Sequence, residues 1–181
     1  MRQSAIALLI MMAASPAAAE VKDAGDNGFT VAASATVAAS PAQLWDALVH
    51  PARWWDMEHS YSHDAANLTL DPRAGGCFCE RVPADGGEVE HGRVVQIRPG
   101  SLLRIDGAFG PFQEMAVSGV LSWTVRPAGM GATIGMTYTV GGYLPGGGKA
   151  FAPVVDAVMG GQFARLKALV DHQYPSPVPS N

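Results

Sequence analysis

Near residue 150 the apolar residues of this chain change their period. Upstream, Phe29, Val31, Ala33, Ala35 and Val37 alternate with polar or small residues, and Ala132, Ile134, Met136, Tyr138 and Val140 do the same opposite Thr133, Thr137 and Thr139. A period of two places such residues on one face of a β-strand. Downstream, Val155, Met159, Phe163, Leu166 and Val170 step by 4, 4, 3 and 4, the spacing of one helix face. Further strands are expected over Asn67–Leu70, Cys77–Val82, Val89–Ile97, Leu102–Asp106 and Met115–Val125, separated by Gly- and Pro-containing turns such as Asp85-Gly86-Gly87 and Pro99-Gly100. Between the first strand and the rest, Ser40-Pro41 supplies an N-cap and a first helical residue, and Leu44, Trp45, Leu48 and Val49 have helical spacing. Pro51 ends that helix and starts a second short one through Trp54-Trp55. A meander followed by one long helix predicts an α+β domain. The expected architecture is a curved antiparallel sheet of about six to seven strands, two short helices after the first strand, and a C-terminal helix of about 20 residues across one face. Gly160-Gly161 inside that helix implies a kink or a close approach to another backbone.

The two ends of the chain have different compositions. Arg2 precedes an apolar run from Ala5 to Ala14, then Ser15-Pro16 and Ala17-Ala18-Ala19. This pattern predicts a secretory leader over residues 1–19, since the run is too short to span a bilayer. It implies a periplasmic or secreted product, cleaved after Ala19, with no stable membrane insertion afterwards. Residues 20–28 read as a flexible lead-in, 29–174 as the domain, and 175–181 (PSPVPSN) as a disordered tail. A hydrophobic content of 48% excludes a disordered chain, and a net charge of −4 without a basic cluster argues against nucleic acid as a partner.

Candidate chemistry is sparse. Cys77 and Cys79 flank Phe78 at strand spacing, so both thiols face one side. Three readings apply: a metal site with His59 and His63, a disulfide across Phe78, or two thiols packed in the core. One intervening residue is a poor match to zinc spacing, so no metal is expected, and the packed thiols are the favoured reading. For Glu80 the favoured reading is ordinary exposure on the outer face of the sheet; its shared face with Phe78 is the one reason to expect an inward carboxyl, whose pKa burial would raise. Glu90 and His91 read as exposed positions, His91 sharing its face with Val89, Arg93 and Val95. Trp54, Trp55, Met57, His59 and Tyr61 form the densest aromatic stretch, either a corner sealing the core or a pocket rim. No nucleophile elbow, dinucleotide fingerprint or phosphate loop occurs, and no cofactor is implied.

The segments SPAQLWDALVHPARWW (Ser40–Trp55), LDPRAGGCFCE (Leu70–Glu80), GRVVQIRPGSLLRI (Gly92–Ile105), GVLSWTV (Gly119–Val125) and the terminal QFARLKALV (Gln162–Val170) resemble the START/SRPBCC superfamily, in its polyketide cyclase and heat-shock-ATPase-activator branch. The resemblance implies a helix-grip fold in which the long helix and the sheet enclose an apolar cavity. It implies a small apolar molecule as the partner of a monomer. Trp55, His59, Tyr61, Glu80, Trp123, Tyr138, Met159 and Phe163 are then the expected ligand-binding residues. A cyclase- or hydrolase-like enzyme using polar residues in that cavity is the alternative, and a protein-interaction module with a filled interior is a third class. Export sets the chain apart from activators of a cytosolic ATPase.

Overall fold

A computed structural model of the protein describes residues 19–175. The expected leader and tail lie outside the described residues, apart from Ala19 and Pro175 at their inner ends. Eight antiparallel strands form one sheet: β1 (Glu20–Gly25), β2 (Gly28–Val37), β3 (Leu68–Leu70), β4 (Cys77–Val82), β5 (Gly87–Arg98), β6 (Leu102–Asp106), β7 (Val117–Ala128) and β8 (Gly131–Gly142). Their order across the sheet is β1-β2-β8-β7-β6-β5-β4-β3. Only β2 to β8 is non-consecutive in sequence, and one helix, four short helical turns and β3–β7 fill that excursion. Helix α1 (Pro41–Leu48) follows β2, and helix α2 (Gly148–Gln173) closes the chain.

Local chemistry accounts for the elements. Ser40 caps α1 in a capping box, its Oγ accepting from the Gln43 amide while the Gln43 side chain accepts from the Ser40 amide. The alternating residues of β2, β7 and β8 form the apolar wall: Phe29, Val31, Leu121, Trp123, Val125, Ile134, Met136, Tyr138 and Val140 are all buried. Helix α2 lays Ala152, Met159, Phe163, Leu166 and Val170 against it, as the stepped spacing predicts. Pro153 is tolerated within its second turn.

Three expectations are corrected. Residues 20–25 are not a flexible lead-in: they pair along β2 as an edge strand, which makes the eighth strand. Backbone pairing suffices there, because most of β1 is exposed and contributes little to the core. Helix α2 has 26 residues rather than about 20 and begins at Gly148. Cys77 and Cys79 are not packed thiols: they form a disulfide. The strand is contracted there, to a Cα–Cα distance of 5.4 Å against about 6.6 Å for two extended residues, which brings the sulfurs within bonding geometry. Both cysteines are half-buried, and Phe78 between them points into the core. Gly160 lies close to the end of the expected leader: a Cβ there would stand 3.0 Å from the Cβ of Ala19.

Candidate functional site

Glu80 is 1% exposed and His91 4%, and they meet in the interior between β4 and β5. His91 Nε2 lies 2.9 Å from a Glu80 carboxylate oxygen. The same oxygen accepts from the Tyr61 amide at 3.1 Å, and the other accepts from the Ser62 amide at 2.6 Å. Both amides come from the irregular segment between α1 and β3. Burial pushes the Glu80 carboxyl up, but hydrogen bonds from Ser62, the Tyr61 amide and His91 outweigh it and hold the pKa below its usual 4.5. Burial holds the His91 imidazole below its usual range, and the attraction of Glu80 only partly opposes this. At neutral pH the pair is an ionised carboxylate and a neutral imidazole. A carboxylate only accepts, so Nε2 carries the ring proton and Nδ1 is the acceptor. Nδ1 has no hydrogen-bond partner among the described residues.

His91 faces inward because β5 is bulged. Phe78 pairs with Gly92 and Cys79 with Glu90, leaving His91 as the extra residue. A bulge shifts the alternation by one. Val89 and His91 are therefore on the inner side with Gly92 and Val94, whereas Arg93 and Val95 face outward. This corrects the exposed position expected for His91. A glycine inside a strand is a bulge signal, and Gly92 was the available clue.

Two aromatic rings flank His91, which also lines an open cleft with Gly92, Gly107 and Gly119. Phe78 lies 5.0 Å from His91 between ring centroids, and Tyr61 lies 5.9 Å away on the solvent side. Phe78 also meets Trp55 at 5.2 Å and Phe109 at 6.1 Å. Tyr61 is 47% exposed, and its hydroxyl donates to the Gly110 carbonyl or to Gln113 Oε1, at 3.2 and 3.1 Å. It thus ties the segment over the pair to the loop after β6. Next to Phe78 is an apolar void of about 10 Å³, lined by α1, the Pro51–Trp55 turn and the sheet, with Trp54, Trp55, Leu103, Leu121 and Trp123 among its walls. That is room for one water at most.

The residues from Gly28 to Asp171 match the family of polyketide cyclases and dehydrases and lipid-transport proteins. The match covers most of the chain. The chain belongs to the polyketide cyclase / dehydrase and lipid transport family. Solved structures agree on the fold. A protein from Chromobacterium violaceum superposes with a TM-score of 0.52 at 20% identity, covering 78% of this chain and 96% of that one. A protein from Rhizobium leguminosarum gives 0.57 at 18% identity, covering 87% and 99%. DynU16, from the dynemicin biosynthetic locus, gives 0.56 at 19% identity, covering 82% and 49%. No curated protein sequence matches the chain.

Within this helix-grip family member, the expected ligand-binding residues separate into groups. Glu80, Tyr61 and Trp55 converge around His91 and Phe78. The Trp55 indole donates to the His59 carbonyl at 3.0 Å, but the His59 side chain is exposed. Trp123 lines the void from the sheet. Phe163 stacks behind it, 6.1 Å between centroids, and Met159 is buried on the same helix. Tyr138 is pinned elsewhere: its hydroxyl donates to the Gly107 carbonyl at 3.1 Å and accepts from the Phe109 amide at 3.2 Å. Burial pushes its pKa up to about 12. Gly119 makes room for it, since a Cβ there would lie 2.6 Å from the Tyr138 hydroxyl. His59 and His63 are exposed and the cysteines are paired, so among the described residues no group of three such side chains could hold a metal. Sequence reasoning missed His91, whose orientation depends on the bulge, and Gln162, a fully buried polar residue on α2 that accepts from the Asp56 amide at 2.9 Å.

Proposed function

We propose that this protein binds a small apolar molecule carrying one hydrogen-bonding group, with His91 as its polar anchor and the rings of Trp55, Phe78 and Tyr61 as its walls. One observation carries the reading: an ionised carboxylate and a neutral imidazole are buried among aromatic rings, with one imidazole nitrogen unengaged. A buried pair of this kind contributes little net stability, because desolvation offsets the attraction. Such pairs concentrate at functional sites. Family membership supports the same class of ligand. The void beside Phe78 has room for one water at most, so a ligand seated there requires the Trp54–Tyr61 segment to move. Its tie through the exposed Tyr61 hydroxyl is a weak one. The leader composition supports a periplasmic or secreted location, and the protein would act there as a monomeric carrier or sensor.

Acid–base chemistry at the same pair is the second reading. Glu80 fixes the tautomer of His91 and leaves Nδ1 as a base toward a bound molecule, the arrangement a cyclase- or hydrolase-like reaction needs.

Paired probes test the proposal. Naphthalene and 2-naphthol are titrated while the emission of Trp54, Trp55 and Trp123 is followed. Both should quench saturably. One added hydrogen bond of about 1 kcal/mol should make 2-naphthol bind roughly five-fold tighter. His91→Phe, checked for folding by circular dichroism, should equalise the two. Absence of any quench or thermal shift with either probe, and of any small molecule co-purifying in native mass spectrometry, would overturn the binding reading.

A further inference from the structure

The Cys77–Cys79 disulfide is not needed to hold β4. Cys77 and Cys79 pair along β5, Cys79 also pairs with Thr69 of β3, and the Asp71 amide donates to the Cys77 carbonyl at 2.9 Å. The entropy a cross-link removes from the unfolded chain grows with loop length, and this one closes the shortest of loops, with a single residue between its ends. Its position is also unlike that of an inert buried bridge. Phe78 points into the core, so the two sulfurs lie on the outer side of the sheet, and both cysteines are half-buried rather than sealed. Accessible disulfides are the labile ones. The register pairs the two cysteines with residues of unlike charge on β5. Arg93, a cation, pairs across from Cys77, and Glu90, an anion, pairs across from Cys79. The Arg93 guanidinium donates to the carbonyl of Gly75, two residues before Cys77, at 3.1 Å and is ion-paired with Glu90.

We infer that Cys77–Cys79 is an exchangeable disulfide, a two-electron acceptor for external thiols on the outer face of the sheet. A partner thiolate attacks Cys79 Sγ. The S–S bond breaks, and Cys77 leaves as a thiolate with the Arg93 guanidinium as its counter-charge. A second partner thiolate then attacks the partner's sulfur in the mixed disulfide. The partner departs as its own disulfide, and Cys79 is released as a thiolate. Two electrons pass to the protein, and the two protein thiolates take up the two protons the partner thiols gave. The reverse reaction makes Cys77 the nucleophile. Small thiols and protein dithiols share this chemistry.

The test uses the folded protein with its disulfide intact, exposed to millimolar glutathione or to a reduced protein dithiol, then quenched by alkylation and weighed by mass spectrometry. Reduction is expected under native conditions with both thiols, with circular dichroism unchanged and a melting temperature shifted by less than about 4 °C. If only one thiol source acts, that source identifies the partner class. In Cys79→Ser the remaining Cys77 should alkylate several-fold faster than the remaining Cys79 in Cys77→Ser, and Arg93→Gln should remove most of that difference. A disulfide reduced by neither thiol until the domain unfolds, or one whose reduction itself unfolds the domain, would overturn the inference. Equal alkylation of the two single cysteines would overturn the assignment of Cys77 as the leaving group and nucleophile.

Discussion

His91 shows how one residue's role depends on a feature one position away. With regular alternation it would share a face with Arg93 and stand in water. The bulge at Gly92 turns it inward to Glu80. Its burial has a measurable consequence. The folded imidazole resists protonation more than the unfolded one, whose ordinary value is 6.5, so the unfolded state binds more protons as pH falls through that value. Stability is therefore expected to be highest above about pH 6.5 and to decline on acidification. Glu80 adds a second decline. Its unfolded carboxyl protonates near 4.5, whereas the folded one, held lower by its hydrogen bonds, stays ionised to a lower pH. Urea midpoints measured across this range should show both losses. In His91→Gln the upper one should vanish and the lower one remain. The shared face with Phe78 hinted at an inward Glu80, although exposure was the favoured reading there. The inward turn of His91 was not legible: Gly92 signals a bulge, but which residue that bulge turns inward is set by strand pairing.

At the scale of elements, the segment from Pro51 to Asn67 covers the Glu80–His91 pair without a long helix of its own. It consists of three single turns, at Pro51–Arg53, Met57–His59 and Ala65–Asn67. Asp56 and Asp64 cap the second and third. Its first turn is tied to both helices, Arg53 to Asp46 and Gln173 and the Trp54 indole to the Ala47 carbonyl, and its later part by the Tyr61 and Ser62 amides to Glu80, Asp56 to Gln162 and Arg165, and the Tyr61 hydroxyl to the loop after β6. Removing the last tie should loosen the cover and leave the sheet intact. Tyr61→Phe is expected to lower stability by about 0.5–1 kcal/mol, given the exposure of that hydroxyl. Amide hydrogen exchange at Tyr61 and Ser62 should accelerate more than that at β7 and β8 residues. Equal acceleration everywhere would show that the segment opens only with global unfolding.

Over the whole molecule, the interior is joined by aromatic contacts rather than by an open cavity. Trp54 meets Trp55 at 5.5 Å and Trp123 at 5.8 Å, and Trp123 stacks on Phe163, linking the irregular segment, the sheet and α2. Phe163 is fully buried at the α2 end of this chain of rings. Phe163→Ala should cost about 3–5 kcal/mol, a large part of the roughly 5–15 kcal/mol that holds a domain folded. Val154→Ala on the exposed side of the same helix should change stability by less than about 0.5 kcal/mol. Chemical denaturation of the two variants separates them. If Phe163→Ala is tolerated as well as Val154→Ala, α2 is not gripping the sheet through this contact. No helix among the described residues is long and apolar enough to cross a membrane.

Periodicity alone determined most of the architecture. The strands from β2 to β8, the capped α1 and the apolar stripe of α2 follow from spacing and capping chemistry, because a half-buried strand and a one-faced helix each leave a local mark on the order of residues. Tertiary structure decided the rest. Strand β1 exists because β2 offers it an edge, and its own residues bury almost nothing. The disulfide formed because β4 contracts locally, a distance that spacing in sequence cannot specify. The inward turn of His91, the polar burial of Gln162 and the near-complete filling of the interior depend on which backbones and rings arrive from other elements. Those are non-local facts, and local order carries no record of them.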